Sequence, residues 1–208
     1  MYQNEPVVYQ EDPLFASAHN ALLFAFNFSG QQYERPMMNR MADDPVAHVS
    51  KGLSGMDGAA QAGMIMSKIL KLPPLHQYIV FATYAPRLID CSCDRPCCTG
   101  RKPNEYWHAC IRMIEEAAIT QALTGCISHR VLRRGIVQRE FGDKNVVLST
   151  LAERAGVSET TAISHNTKVR WWLNGRPKGK NQEAVSGVKT EAISLMEQVL
   201  INDGLVGT

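Results

Sequence analysis

At 208 residues, with 45% apolar and 20% charged residues and a net charge of +2, the chain can build one or two small packed units; its charge balance excludes a polyanion mimic or a wholly basic architectural protein. Its longest apolar run, 21–26, is six residues, far short of the roughly 20 that a membrane helix needs. The opening MYQNEPVVYQED has neither the basic region nor the apolar core of a secretory signal, so the six cysteines read as free thiols or metal ligands rather than disulfides.

In chain order, Asp12 and Pro13 fit the cap and first turn of a helix carrying Phe15, Ala18, Leu22 and Phe26 at helical spacing, which Ser29-Gly30 should stop. The stretch QQYERPMMNRMADDPVAHVSKGLSG reads as loop with at most one short helix. Helices are expected over 59–72, ended by Pro73-Pro74, and over 75–88. A cysteine loop, 91–103, separates these from a helix over 105–123, which Asn104 caps and whose apolar face includes Trp107, Cys110, Ile111, Ile114 and Ala118. Three more helices follow over 129–141, 149–155 and 159–173; then come the basic linker GRPKGKNQEAVSG and a last amphipathic helix over 188–202. There is almost no strand pattern. The expected fold is mainly α: a helical body with a cysteine-rich loop (1–127), a helix-turn-helix unit (128–175), and a linker with a C-terminal helix (176–208).

Charge is uneven along this plan. Residues 101–180 hold 14 Lys and Arg against 7 Asp and Glu. Such a block suits a nucleic-acid-facing segment, though a solvated face would read the same. Within it lies the sharpest local pattern, LSTLAERAGVSETT from Leu148. Ala152 is small where a second helix would cross it, Gly156 suits a left-handed turn, Val157 can plug the core between two helices, and Ser158 can cap the second. On that second helix Ala162, His165, Val169, Trp172 and Leu173 share an inward face, so His165 reads as a packing residue. Thr160, Thr161, Ile163, Ser164, Thr167 and Lys168 are left to face a major groove. With Ser158, and with Arg130, Arg133 and Arg134 on the preceding basic helix, they form the candidate DNA-binding set. An ordinary helical hairpin is the alternative.

Cys91, Cys93, Cys97 and Cys98 fall within eight residues. Clustered thiolates suit a structural zinc. Adjacent cysteines diverge, so three from the loop with a distant ligand such as His108 or Cys126 is a second arrangement, and four free thiols a third. Cys110 and Cys126 sit on apolar faces and read as small hydrophobes. No catalytic constellation emerges. No histidine is followed two residues later by Glu, there is no H-E-x-x-H or G-x-S-x-G, and 175–180 is one residue short of a phosphate loop. The expectation is a non-enzyme.

Four strings in order, QQYERPMMNRM, LSGMDGAAQAGMI, APRLIDCSCDRPCCTGRKPNEYW and LAERAGVSETTAISHNTKVRWWL, resemble the Q antitermination proteins of lambdoid phages, of the phage 82 type rather than the lambda or phage 21 types. The resemblance spans about 24–173. It implies a phage late-gene regulator in the bacterial host cytoplasm, with no membrane partner. Such a protein binds double-stranded DNA at the late promoter and engages paused host RNA polymerase holoenzyme, core plus sigma. It then travels with the polymerase near the nascent RNA exit and makes it ignore terminators. Under this resemblance Thr160, Thr161, Ser164 and Lys168 match the recognition helix, and the four loop cysteines match the cysteine loop. A polymerase-holding surface is expected in the N-terminal body, with Arg35, Met37, Met38 and Arg40 as candidates. The competing reading is a site-specific repressor or activator that never leaves its operator.

Overall fold

The computed structural model describes residues 13–32, 55–91, 93, 95–96, 98–127, 129–178 and 183–207. The expected Asp12 cap, the candidates Arg35, Met37, Met38 and Arg40, and Cys97 lie outside the described residues. Within them the chain is mainly helical, with eight helices and one short hairpin.

Helix α1 (Ala18–Gln32) starts later than the sequence suggested. Its opening amide, Asn20 N–H, donates to Ser17 Oγ at 3.2 Å. The backbone before it is committed elsewhere: Phe15 N–H donates to Leu205 O at 3.0 Å, beside a parallel bridge to Val206. Ser29 and Gly30 sit inside the helix instead of ending it; one interior glycine costs only about 1 kcal/mol, which packing can offset. Helix α2 (Gly55–Ile69) lies against α1 and buries Ala62, Ile65 and Ile69.

Helix α3 (Pro74–Tyr84) ends four residues before the expected 88. Pro86 disfavours helical backbone at the residue before it, and Ala85 is extended, with φ −69 and ψ 141. Strand β1 (Leu88–Asp90) follows and pairs antiparallel with β2 (Arg101–Pro103), Ile89 opposite Lys102. Helix α4 (Glu105–Gln121) runs back along α3, pinned by the buried Trp107 Nε1–H donating to Ala82 O at 3.0 Å.

Helices α5 (Arg130–Glu140), α6 (Leu148–Ala155) and α7 (Glu159–Asn174) pack on one another, and α4 also meets α5 and α7. Helix α8 (Val188–Asn202) occupies the expected span and touches α1, α2, α3 and α7. Its fully buried Ala192, Met196 and Leu200 join both halves of the chain in one apolar cluster running from Phe15 to Val206. No helix among the described residues is long and apolar enough to cross a membrane.

Candidate functional site

Two polar centres stand out on this scaffold. The first is built on α5, α6 and α7. Helices α6 and α7 are joined by Gly156, Val157 and Ser158. Gly156 is left-handed, φ 66 and ψ 32, and closes α6 by donating to its last carbonyls. Ser158 Oγ accepts the Thr161 amide at 3.2 Å and lies 2.9 Å from Thr161 Oγ1. Ala152 is buried, and Ala162, His165, Val169 and Leu173 fix the inward face of α7, with Trp172 half-buried. Thr160, Ile163, Ser164 and Lys168 are exposed. The first and last two of these follow at i, i+4 and i+8, so they form one stripe along the helix.

Not every expected member of the set is equally available. Thr161 and Thr167 are half-buried, and their hydroxyls are engaged, Thr161 at the cap and Thr167 by donating to Ile163 O at 2.9 Å. Lys168 Nζ donates to Cys126 Sγ at 2.9 Å, so the ammonium is held beside the loop after α4.

Arg133 is a correction. It was expected on the outer face, but it is buried, because Glu115 on α4 draws it in: Nη2 lies 3.1 Å from Oε1. Arg134 Nε lies 3.0 Å from Glu115 Oε2, and Arg130 Nε stands 4.0 Å from Oε1. One carboxylate faces three guanidiniums, so the junction keeps an excess of positive charge, and Arg130 and the half-buried Arg134 carry it outward. Together with Arg154, Asn145, Val131 and Val147 they line a cleft of about 530 Å³ between α5 and α6. Gly135 permits this approach of the two helices, since a Cβ there would strike the Leu151 side chain.

His165 is buried on the inward face of α7. Desolvation first, then the charges of Lys168 and His129, hold its pKa below the usual histidine value.

The second centre is the hairpin tip. Asn104 builds its base: Oδ1 accepts the Tyr106 and Trp107 amides at 3.0 and 3.3 Å, Nδ2 donates to Pro86 O at 2.7 Å, and its own amide donates to Arg87 O at 2.9 Å. The ladder continues through Cys91 N–H to Gly100 O at 2.9 Å, and Cys98 N–H closes a turn onto Arg95 O at 2.9 Å. This brings the sulfur atoms of Cys91, Cys93 and Cys98 within 4.8 Å of one another, a group that could hold a metal ion. Hydrogen bonding favours the Cys93 thiolate, chiefly through the Arg95 backbone and then through the Cys98 and Cys91 thiols, and holds its pKa below the ordinary thiol value. The same sharing, led by Cys93, pushes Cys98 up. Neither His108 nor Cys126 joins this group among the described residues. Cys110 is buried, and desolvation pushes its pKa up to about 11, as suits a packing thiol.

Three features escaped the sequence. The hairpin has three-residue, largely exposed strands with no alternation to detect. Glu115 did carry a signal: a carboxylate within the apolar stripe of Ile111, Ile114 and Ala118 demands buried cations. Trp171, beside the inward-facing Trp172, is left 48% exposed.

Compared with protein-family models, with curated proteins and with solved structures, the chain matches none.

Proposed function

We propose that this chain is a DNA-loaded transcription antitermination factor of phage late genes, with α6 and α7 as its helix-turn-helix and a structural zinc in the hairpin tip. The observation that carries the reading is the exposed Thr160–Ser164–Lys168 stripe on α7, next to a surface with a surplus of arginine. Hydroxyls spaced along one helix face, and the Lys168 ammonium once it leaves Cys126 Sγ, suit base edges and phosphates in a major groove. Arg130, Arg134 and Arg154 suit flanking phosphates. The four-string resemblance to phage 82 type Q proteins supplies the biology: loading at the late promoter, capture of host RNA polymerase holoenzyme, and obstruction of hairpin formation where nascent RNA emerges. DNA contact then serves only for loading, and a second surface has to hold the polymerase afterwards.

Zinc is favoured by the donors. Zn–S bonds of about 2.3 Å place tetrahedral sulfurs roughly 3.8 Å apart, so the three thiols need to close by only about 1 Å. A fourth ligand completes the shell, and Cys97 is its nearest neighbour in sequence. The chemistry is structural: the ion would tie β1 to β2. Metal analysis of the purified protein tests this; less than about half an equivalent of zinc with freely titrating thiols overturns it.

The functional test is transcription by purified holoenzyme on templates that keep the promoter-proximal site and move the terminator progressively downstream. Readthrough that persists with distance is expected. A change in initiation with unaltered termination would establish a site-bound repressor or activator instead. Ser164→Ala should weaken specific DNA binding by about 1–3 kcal/mol.

A further inference from the structure

The C-terminal end of α7 carries a cluster with no part in the duplex reading. Two of the three tryptophans are committed to the fold: Trp107 is buried on Ala82 O, and Trp172 Nε1–H donates to Gln121 Oε1 at 3.1 Å. Trp171 is different. The core-facing positions 162, 165, 169 and 173 turn residue 171 outward, and it leaves 48% of its surface to solvent. The Arg176 guanidinium carbon stands 5.9 Å from the Trp171 ring centroid.

That arginine is fixed from its backbone. Arg176 N–H donates to Val185 O at 2.8 Å, and Val185 N–H donates back to Arg176 O at 3.0 Å. Two glycines permit the clasp: Gly175 has φ 86, and a Cβ on Gly187 would run into the backbone of Asn174 and Gly175. Arg170, one residue before Trp171, is exposed, and Glu140 steadies it, with Nε 3.4 Å from Oε1. Thr167, Arg170, Trp171, Asn174 and Pro177 line a shallow pocket of about 220 Å³; Thr167 is the one member shared with the duplex set, and its hydroxyl already donates to Ile163 O.

A half-exposed indole with the Arg176 guanidinium over its ring and Arg170 lining the same pocket offers what a stacked, paired base cannot use and an unpaired base can: a π surface, with cations in reach of the adjoining phosphates. The pocket has room for one planar ring. We propose that Trp171, with Arg170 and Arg176, is a stacking site for an unpaired base of single-stranded nucleic acid. It lies beyond the Thr160–Ser164–Lys168 stripe, so this proposal and the duplex reading can fail separately.

The test uses the full chain and labelled oligouridylate and oligothymidylate of about 12 nucleotides, with a duplex of equal length as the counter-arm. The parent should bind at least one single strand with quenching of tryptophan fluorescence; which strand binds tells RNA from DNA as the source. W171A should weaken that binding roughly tenfold or more, W171F should keep most of it by preserving a stacking face, and duplex affinity should stay within about twofold. R176Q, which leaves the backbone clasp intact, should weaken single-strand binding in the same direction but less. The proposal is overturned if neither single strand binds, if W171A binds them like the parent, or if W171A loses duplex and single strands equally, since Trp171 would then belong to the duplex surface.

Discussion

The α4–α5 junction and the cysteine hairpin solve the same problem in opposite ways. At the junction, Glu115 and Arg133 are brought into the core and paired with each other, while Arg134 and Arg130 face the same carboxylate from nearer the surface. At the hairpin, polar sulfur stays near the surface, in the loop between two three-residue strands that bury almost nothing and rest on Asn104. Two-stranded hairpins without an apolar face are marginal in water. The difference is one of reach. Disturbing the junction should propagate through every helix packed on it, whereas disturbing the hairpin should stay local.

The largest effect is therefore expected at Glu115. Glu115→Ala removes the carboxylate on which the buried Arg133 rests, and losing one side of such a pair costs about 3–5 kcal/mol. Denaturant unfolding measures it. The double variant Glu115→Leu with Arg133→Met should recover part of the loss, because it removes a buried charge together with its carboxylate, although Arg134 still loses that carboxylate. A single-variant loss under about 1 kcal/mol would show that the junction is no deeper, in energy, than the hairpin.

Next comes Asn104, the one residue that serves both regions, as cap of α4 and base of the hairpin. Asn104→Ala should cost about 1 kcal/mol, within the usual range for caps, and should loosen the hairpin as well. Amide hydrogen exchange should speed up at Cys91 and at Tyr106 together. Asn104→Asp, which keeps the acceptor and loses the donor to Pro86, should protect α4 alone.

What the sequence revealed follows the same division. Where burial dictated the pattern, it was readable: the inward set of α7, the Asn104 cap and the span of α8 all follow from apolar spacing and capping chemistry. The cysteine cluster was legible as composition, because four thiols in eight residues have few other uses. Its geometry was not, since exposed strands leave no alternation and the hairpin is fixed by backbone and Asn104 bonds. Arg133 misled because charge alone reads as surface; only its partner 18 positions earlier reveals that it is buried. Pro86 announced the end of α3, but Leu88 beyond it prolonged the apolar run.

A smaller effect is expected from acid. His165 is buried, and its folded pKa lies below the ordinary 6.5 because desolvation, then Lys168 and His129, oppose its proton. Between the folded value and 6.5 the unfolded chain binds more protons, so stability should fall as pH drops through that window and the loss should be complete below the folded value. Thermal unfolding across pH 7 to 5 tests it; His165→Gln should flatten the slope that His165 contributes.

The smallest global effect, and the sharpest test of the comparison, is metal removal. If the hairpin holds zinc as proposed, its thiols lie so close in sequence that an unfolded chain would keep much of their affinity for the ion, and binding to the unfolded state cancels stabilisation of the folded one. Chelation should therefore move the global unfolding midpoint far less than Glu115→Ala does. Locally the outcome should reverse. With the sulfurs no longer joined, strand pairing at Ile89 and Lys102 depends on backbone bonds alone, and a trypsin-type protease should cut first after Arg101, since Arg95 and Lys102 are each followed by proline, while α4 to α7 stay intact. Cys93→Ser should reproduce that cleavage without chelator. If chelation instead unfolds the whole chain with the cooperativity of Glu115→Ala, the hairpin is part of the same folding unit as the junction and the contrast between the two regions fails.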